Sequence, residues 1–158
     1  MTCAPPIAHL AGLVGTWRGK GRGMYPTIES FTYRDELIFG NVGKPFFTFT
    51  QRTTMAGEPR HTETGFLRAP SPTTIEFVVA IPTGQVELGV GTCTVHTDGS
   101  IVLHTLAQDV QNSPTAKEVN VIEREFCLGE DVLTYRLWMA AVGQEKQLHL
   151  ESALERVA

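Results

Sequence analysis

Residues 30–54 read Ser30-Phe31-Thr32-Tyr33-Arg34-Asp35-Glu36-Leu37-Ile38-Phe39, then Gly40-Asn41-Val42-Gly43-Lys44-Pro45, then Phe46-Phe47-Thr48-Phe49-Thr50-Gln51-Arg52-Thr53-Thr54. The first run sets Phe31, Tyr33 and Asp35 against Thr32, Arg34 and Glu36, an alternation that suits a strand and not a helix. The last run is dense in aromatic and β-branched side chains, which fit a pleated, half-buried surface. Between them Gly40, Asn41, Gly43 and Pro45 supply turn chemistry. Two antiparallel strands are predicted.

The same rhythm continues to the carboxyl end. Thr74 to Ile81 and Gln85 to Val95 flank Pro82-Thr83-Gly84, a good hairpin connection. Thr97-Asp98-Gly99-Ser100 precedes a run from Ser100 to Ala107, and Asn112-Ser113-Pro114-Thr115 makes a further loop. Lys117 to Leu128 and Val132 to Ala141 flank Gly129-Glu130-Asp131; in the second, Leu133, Tyr135, Leu137 and Met139 share one face and Thr134, Arg136 and Trp138 the other. After Ala141-Val142-Gly143-Gln144 comes a last strand, Lys146 to Val157. Toward the amino end, Ile7, Leu10, Ala11 and Val14 lie behind Pro5 and Pro6 and ahead of Gly15, the mark of a short helical turn. Many short strands with almost no helix predict an all-β barrel or sandwich. Closure into an up-and-down barrel removes exposed edges and leaves room for an apolar cavity at one mouth. No linker or composition shift divides residues 1–158, so one domain is expected.

Composition narrows the function classes. The chain is 42% hydrophobic and 19% charged, with a net charge of −4 and no basic block. Nucleic-acid binding is disfavoured, since it would need a Lys/Arg stripe. No apolar run reaches the ~20 residues that cross a bilayer as a helix, so no membrane association is expected. The N-terminal Met1-Thr2-Cys3-Ala4-Pro5-Pro6-Ile7 lacks the charged and apolar regions of a secretory signal. Cys3, Cys93 and Cys127 are odd in number and widely spaced. They exclude a disulfide framework and a C-x-x-C zinc knuckle, and they suit a reducing, cytoplasmic compartment.

Gly15-Thr16-Trp17-Arg18-Gly19-Lys20-Gly21-Arg22-Gly23 invites a phosphate-loop reading, but no strand precedes it and no helix follows. It reads better as a first strand whose glycines let the backbone bend or meet another group closely. Trp17 would then plug one end of the barrel, with Arg156 lying over its indole.

Of the histidines, His9 falls in the opening turn, His61 beside Pro59 in a loop and His96 next to Thr97-Asp98-Gly99, all as surface or supporting residues. His104 lies within a strand and could face inward. His149 lies in the final strand between Leu148 and Leu150, on the face of Gln147 and Glu151. No H-x-H or H-x-x-x-H pair exists, which argues against a multi-histidine zinc or non-haem iron site. A porphyrin supplies its own four nitrogens and needs a single protein ligand, so a lone histidine suits haem. There is no C-x-x-C-H for thioether attachment and no G-x-S-x-G elbow. Glu123, Glu125, Glu130 and Asp131 form no recognisable catalytic pair.

The pattern G-x-W-x-G-x-G at Gly15, Trp17, Gly19 and Gly21, followed by Tyr25-Pro26-Thr27-Ile28, resembles the signature of the nitrobindins, haem-binding relatives of the fatty-acid-binding proteins within the calycin group. The likeness runs on through Val42-Gly43-Lys44-Pro45, His61-Thr62-Glu63-Thr64-Gly65-Phe66-Leu67-Arg68, Pro114-Thr115-Ala116-Lys117-Glu118-Val119, Met139-Ala140 and Leu148-His149-Leu150. The resemblance implies an antiparallel up-and-down barrel of about ten strands. It implies His149 as the proximal iron ligand, Thr27 as a haem contact and Lys117 near a propionate. It further implies a non-covalent ferric haem b that isomerises peroxynitrite to nitrate and binds nitric oxide at its open axial position. Two alternatives stand beside this: a nitric oxide or haem sensor or carrier without turnover, and a fatty-acid-type carrier. The last would need internal arginines and a tyrosine to hold a carboxylate, for which Arg124, Tyr135 and Arg136 are the candidates.

Overall fold

The computed structural model describes residues 1–157 and turns the alternating runs into strands. These are β1 (Gly15–Tyr25), β2 (Ile28–Asn41), β3 (Phe46–Met55), β4 (Glu58–Arg68), β5 (Thr74–Ile81), β6 (Gln85–Val95), β7 (Ile101–Ala107), β8 (Gln111–Asn112), β9 (Val119–Gly129), β10 (Val132–Ala141) and β11 (Gln147–Arg156). Each long strand pairs antiparallel with the next in the chain, and β11 returns to pair with β1. The two-residue β8 is an edge piece on β6, so ten long strands close an up-and-down barrel. That is the expected architecture.

Two local expectations need correcting. Residues 58–68 form β4 rather than a loop, so His61 is a strand residue. The polar run Glu58-Pro59-Arg60-His61-Thr62-Glu63 hides its alternation because the side chains facing inward at His61 and Glu63 are themselves polar. Pro59 is tolerated because it sits at the start of the strand, where the register against β3 slips and Arg60 is the extra residue. Lys117 lies outside β9, which begins at Val119.

The barrel has one closed end and one open end. At the closed end Pro5–Leu13 forms a 3-10 helix, and Ile7, Leu10 and Leu13 are fully buried. Their spacing of three matches the 3-10 repeat, which puts all three on one stripe toward the barrel. Trp17 is fully buried beneath the helix and its Nε1 donates to Leu13 O at 2.8 Å. The Arg156 guanidinium lies 4.2 Å from the indole centroid, as the register Trp17↔Arg156 requires. Its Nη1 and Nη2 donate to Val14 O and Gly12 O, both at 2.8 Å, so one side chain ties the helix to the last strand. Above this cap lies an aromatic layer in which Phe49 meets Phe77 edge-on at 4.7 Å and Phe126 stacks on Tyr135 at 4.9 Å.

The open end carries the turn at Pro26-Thr27, the 55–58 and 81–85 turns, the 107–119 connection and the 141–147 turn. The four register breaks among the described residues fall here, at Gly23/Tyr25, Thr53/Thr54, Leu137/Trp138 and Ala140/Ala141. Bulges concentrate at barrel rims because they bend a strand and re-aim its side chains.

Candidate functional site

His149 is itself the extra residue of one of those bulges. Leu137 pairs with Leu150 and Trp138 with Leu148, so His149 opposes neither. The strict alternation that would group it with Gln147 and Glu151 is therefore interrupted. The ring is half-buried and meets the buried Tyr25 ring edge-on, 5.3 Å between centroids. Tyr25 is in turn fixed to β10: its hydroxyl accepts from the Ala141 N–H at 2.9 Å and donates to Met139 O at 3.1 Å. His149 Nδ1 is 3.0 Å from Met24 O. A carbonyl can only accept, so Nδ1 carries the proton and Nε2 keeps its lone pair. Burial pushes the imidazole pKa below its usual value; the bond to Met24 opposes this and the charge of His61 adds to it. A neutral ring with a backbone-anchored Nδ1–H and a free Nε2 is what a metal-ligating histidine requires.

The glycines of β1 shape the wall beside it. A Cβ at Gly19 would run into Ala153 O of β11, one at Gly21 into the Tyr33 ring and one at Gly23 into the Phe31 ring. The missing Cβ atoms at Gly21 and Gly23 let the ring tips of Tyr33 and Phe31 close over the first strand. Tyr33 is buried, its hydroxyl has no hydrogen-bond partner, and burial together with Asp35 raises its pKa. A concavity of about 450 Å³ near this end is lined by the exposed Arg22, Ser30 and Thr32 together with Gly23, Met24, Phe31 and Met55, and His149 is not part of it.

Below the rim the interior is polar. Arg124 is fully buried, and its Nε and Nη2 donate to the Glu87 carboxylate at 2.7–3.1 Å. Its Nη1 donates to Tyr135 Oη at 2.8 Å and lies 2.8 Å from Glu63 Oε2. Burial opposes the charge on Glu63, but Arg124 and His61 overcome it and hold the carboxyl at about 2. Asp35 lacks a cationic partner; it accepts from Gln51 at 3.0 Å and Ser152 at 2.9 Å, and burial raises its pKa to about 6. The inward polar positions of β6, Gln85 and Glu87, explain why that strand alternates in reverse, with Val86, Leu88 and Val90 outside.

This network removes the basis for fatty-acid capture. Arg124 and Tyr135 are inside as that reading needs, but the chain's own Glu63 and Glu87 already take the guanidinium. Arg136 is outside, paired with Glu125 at 2.7 Å and over the Trp138 ring.

The remaining sequence candidates divide by end. Thr27 is exposed in the β1–β2 turn, at the same end as His149. Lys117 is exposed on the approach to β9, with its backbone carbonyl accepting from Gln85 Nε2 at 2.9 Å and no ion-pair partner for its ammonium among the described residues. Gly15, Trp17, Gly19 and Gly21 all belong to β1, Trp17 at the closed end. His104 faces outward, on the side opposite Leu103 and Thr105, and pairs with Glu123 at 2.6 Å. His9 Nε2 is 3.7 Å from Cys93 Sγ, and His96 is exposed in its turn. His61, read from sequence as a loop residue, faces inward near the open end with Nε2 2.9 Å from Glu63 Oε1. Its signal was the period-two series His61, Glu63, Gly65, Leu67, legible only if polar residues are allowed on the inner face. No group of three or more His, Cys, Asp or Glu side chains among the described residues is placed to hold a bare metal ion. No helix is long and apolar enough to cross a membrane.

The family model for the THAP4-like, haem-binding β-barrel domain matches residues 6–156. The chain is similar to a peroxynitrite isomerase of Nocardia farcinica, 46% identical over 96% of this chain and 91% of that protein. It is similar to peroxynitrite isomerase 2 of Mycobacterium avium, also 46% identical, over 96% and 95% of the two chains. The crystal structure of Rv2717c from M. tuberculosis superposes with a TM-score of 0.95 at 43% identity, covering 99% of each chain. With that coverage and that barrel, the chain belongs to the THAP4-like haem-binding β-barrel family, the nitrobindins.

Proposed function

We propose that this protein binds a non-covalent haem b at the open end of the barrel, with His149 as proximal ligand, and isomerises peroxynitrite to nitrate. One observation carries the reading: His149 sits in a rim bulge with Nδ1 tied to Met24 O, leaving a neutral Nε2 free. Bound ferric haem would supply the Lewis-acid chemistry for peroxynitrite isomerisation and a metal for nitric oxide. The chain's own residues do the rest. The Met24 carbonyl fixes the imidazole tautomer and raises its donor strength. Tyr25 packs against its ring and holds its orientation. Phe31 and Tyr33, seated on Gly23 and Gly21, give an aromatic wall beside the imidazole, their rings tilted 41° to one another. Lys117 offers an uncompensated ammonium to a propionate, and Thr27 a hydroxyl at the rim. No protein acid or base is needed, since the isomerisation moves no net proton. The unpaired Cys3, Cys93 and Cys127 accord with a cytoplasmic setting.

The test is a hemin titration followed by stopped-flow decay of peroxynitrite, for wild type and His149→Ala. Wild type should develop a sharp Soret band and accelerate the decay; His149→Ala should lose both. A Soret band with an unchanged decay rate would discard the isomerase and leave a nitric oxide or haem carrier.

A further inference from the structure

We propose that His61 is the polar group that contacts a small ligand bound in the haem site, with its ring held in place by Glu63. The proposal rests on the haem reading above and adds a residue to it.

In the closed circuit of strands, β4 and β11 are separated by β1, β2 and β3 one way round and by β5, β6, β7, β9 and β10 the other. His61 and His149 therefore stand on facing walls of the open end. His61 belongs to the inward row of β4 with Glu63 and Leu67, and its side chain is about a third exposed, at 31%. That half-open position at the mouth differs from the fully buried floor beneath it. His61 lies in the inward row of β4 and His149 lies against the buried Tyr25 ring, both near the open end.

The ring is not free to turn. Glu63 accepts from Nε2 at 2.9 Å, and Glu63 is immobilised by the fully buried Arg124, which is clamped by Glu87 and Tyr135. Because Glu63 is ionised throughout the neutral range, Nε2 must carry the proton it donates. Nδ1 is then the nitrogen left over, and no described residue bonds it. With Nε2–H given to Glu63, a proton taken up at Nδ1 turns that nitrogen from an acceptor into a donor for a bound ligand. A carboxylate behind an imidazole fixes its orientation and supports its positive charge, which is what a bound anion or partly anionic diatomic ligand needs.

The occupant class is thus a small anionic or polarised ligand that accepts one hydrogen bond. Burying Arg124 with two carboxylates costs several kcal/mol per ion before their mutual attraction offsets it. An inert apolar floor would avoid that cost, so a network ending in an oriented ring at the mouth suits a functional role for the ring.

The experiment compares hemin-loaded wild type, His61→Leu, His61→Gln and His149→Ala. Readouts are hemin affinity, the C–O stretching frequency of the ferrous carbonyl complex and the dissociation rate of nitric oxide, with circular dichroism to confirm folding. His61→Leu should retain hemin affinity within about threefold yet shift the C–O stretch upward and release nitric oxide about tenfold faster, the loss expected for one charge-assisted hydrogen bond. His61→Gln, which keeps a donor, should recover part of both changes. An unshifted stretch and unchanged release in His61→Leu overturn the proposal while leaving the haem reading intact. A low-spin, six-coordinate ferric spectrum in wild type that turns high-spin in His61→Leu also overturns it, because His61 would then be an iron ligand. If wild type fails to bind hemin at all, both readings fall together.

Discussion

The two ends of this barrel are built on opposite principles. The closed end is dry and regular: a 3-10 helix buries three aliphatic side chains over Trp17, and no register break occurs there among the described residues. The open end has four register breaks, an orphaned Tyr33 hydroxyl, an unpaired buried Asp35 and two histidines on facing walls. Between them lies the charged layer centred on Arg124. One end thus keeps its strand register and buries its apolar groups, strained only at Glu130 and Asp131 in the β9–β10 turn, while the other breaks several rules of packing. Such local violations are where function concentrates, because they are tolerated only when the rest of the fold stabilises them.

The largest expected effect comes from breaking the layer that separates the ends. Arg124→Met would leave Glu63 and Glu87 buried without their cation, for a loss of about 3–5 kcal/mol. Urea unfolding at neutral pH measures it. A loss under about 1 kcal/mol would mean water already reaches this layer, and the division into a dry and a wet half would be wrong.

A smaller change tests whether the ends are independent. Arg156→Ala removes the guanidinium over Trp17 and its two bonds to the helix carbonyls, at about 1–2 kcal/mol. Thermal unfolding should register that loss while hemin affinity stays the same. A parallel fall in hemin affinity would show that the cap and the mouth communicate.

How much of this was legible in the sequence follows the same division. Closed-end features could be read from pattern: apolar residues near Pro5 and Pro6 announced the helix, and the stacking of Arg156 on Trp17 followed from their types and their places on the last and first strands. The pattern missed the 3-10 character, since the stripe it relies on needs only spacing of three. At the open end, pattern reading failed where polar residues face inward. His61 looked like loop because it stands beside Pro59 in a polar run, and only Arg124, about sixty residues further on, makes its buried partner Glu63 tolerable. His104 fails in the other direction: its strand alternates cleanly, but the sequence does not say which face is inside. The bulge at His149 was illegible too, since a single unpaired residue depends on the register of β10 and leaves no mark in the sequence of β11. Family resemblance selected His149 where periodicity could not.

The smallest effect isolates the cost of the open end's polarity. Asp35 is buried, accepts hydrogen bonds only from neutral groups and has its pKa raised from 3.8 to about 6. Below pH 3.8 it is protonated in both the folded and unfolded states and contributes no pH dependence. Between 3.8 and about 6 the folded state binds more protons than the unfolded, so stability falls as pH rises through that window, and above it the full penalty of a buried charge is present. Asp35→Asn removes the charge but forfeits part of the bonding to Ser152 or Gln51, for a net gain of about 1 kcal/mol at pH 7.5. The gain should shrink to nothing, or reverse, near pH 4, where the native carboxyl is already neutral. Melting temperatures of the two proteins at both pH values give the answer. Equal gains at both would detach the effect from ionisation, and a loss at pH 7.5 would mean that the Asp35 charge stabilises the open end through a partner such as bound water or haem.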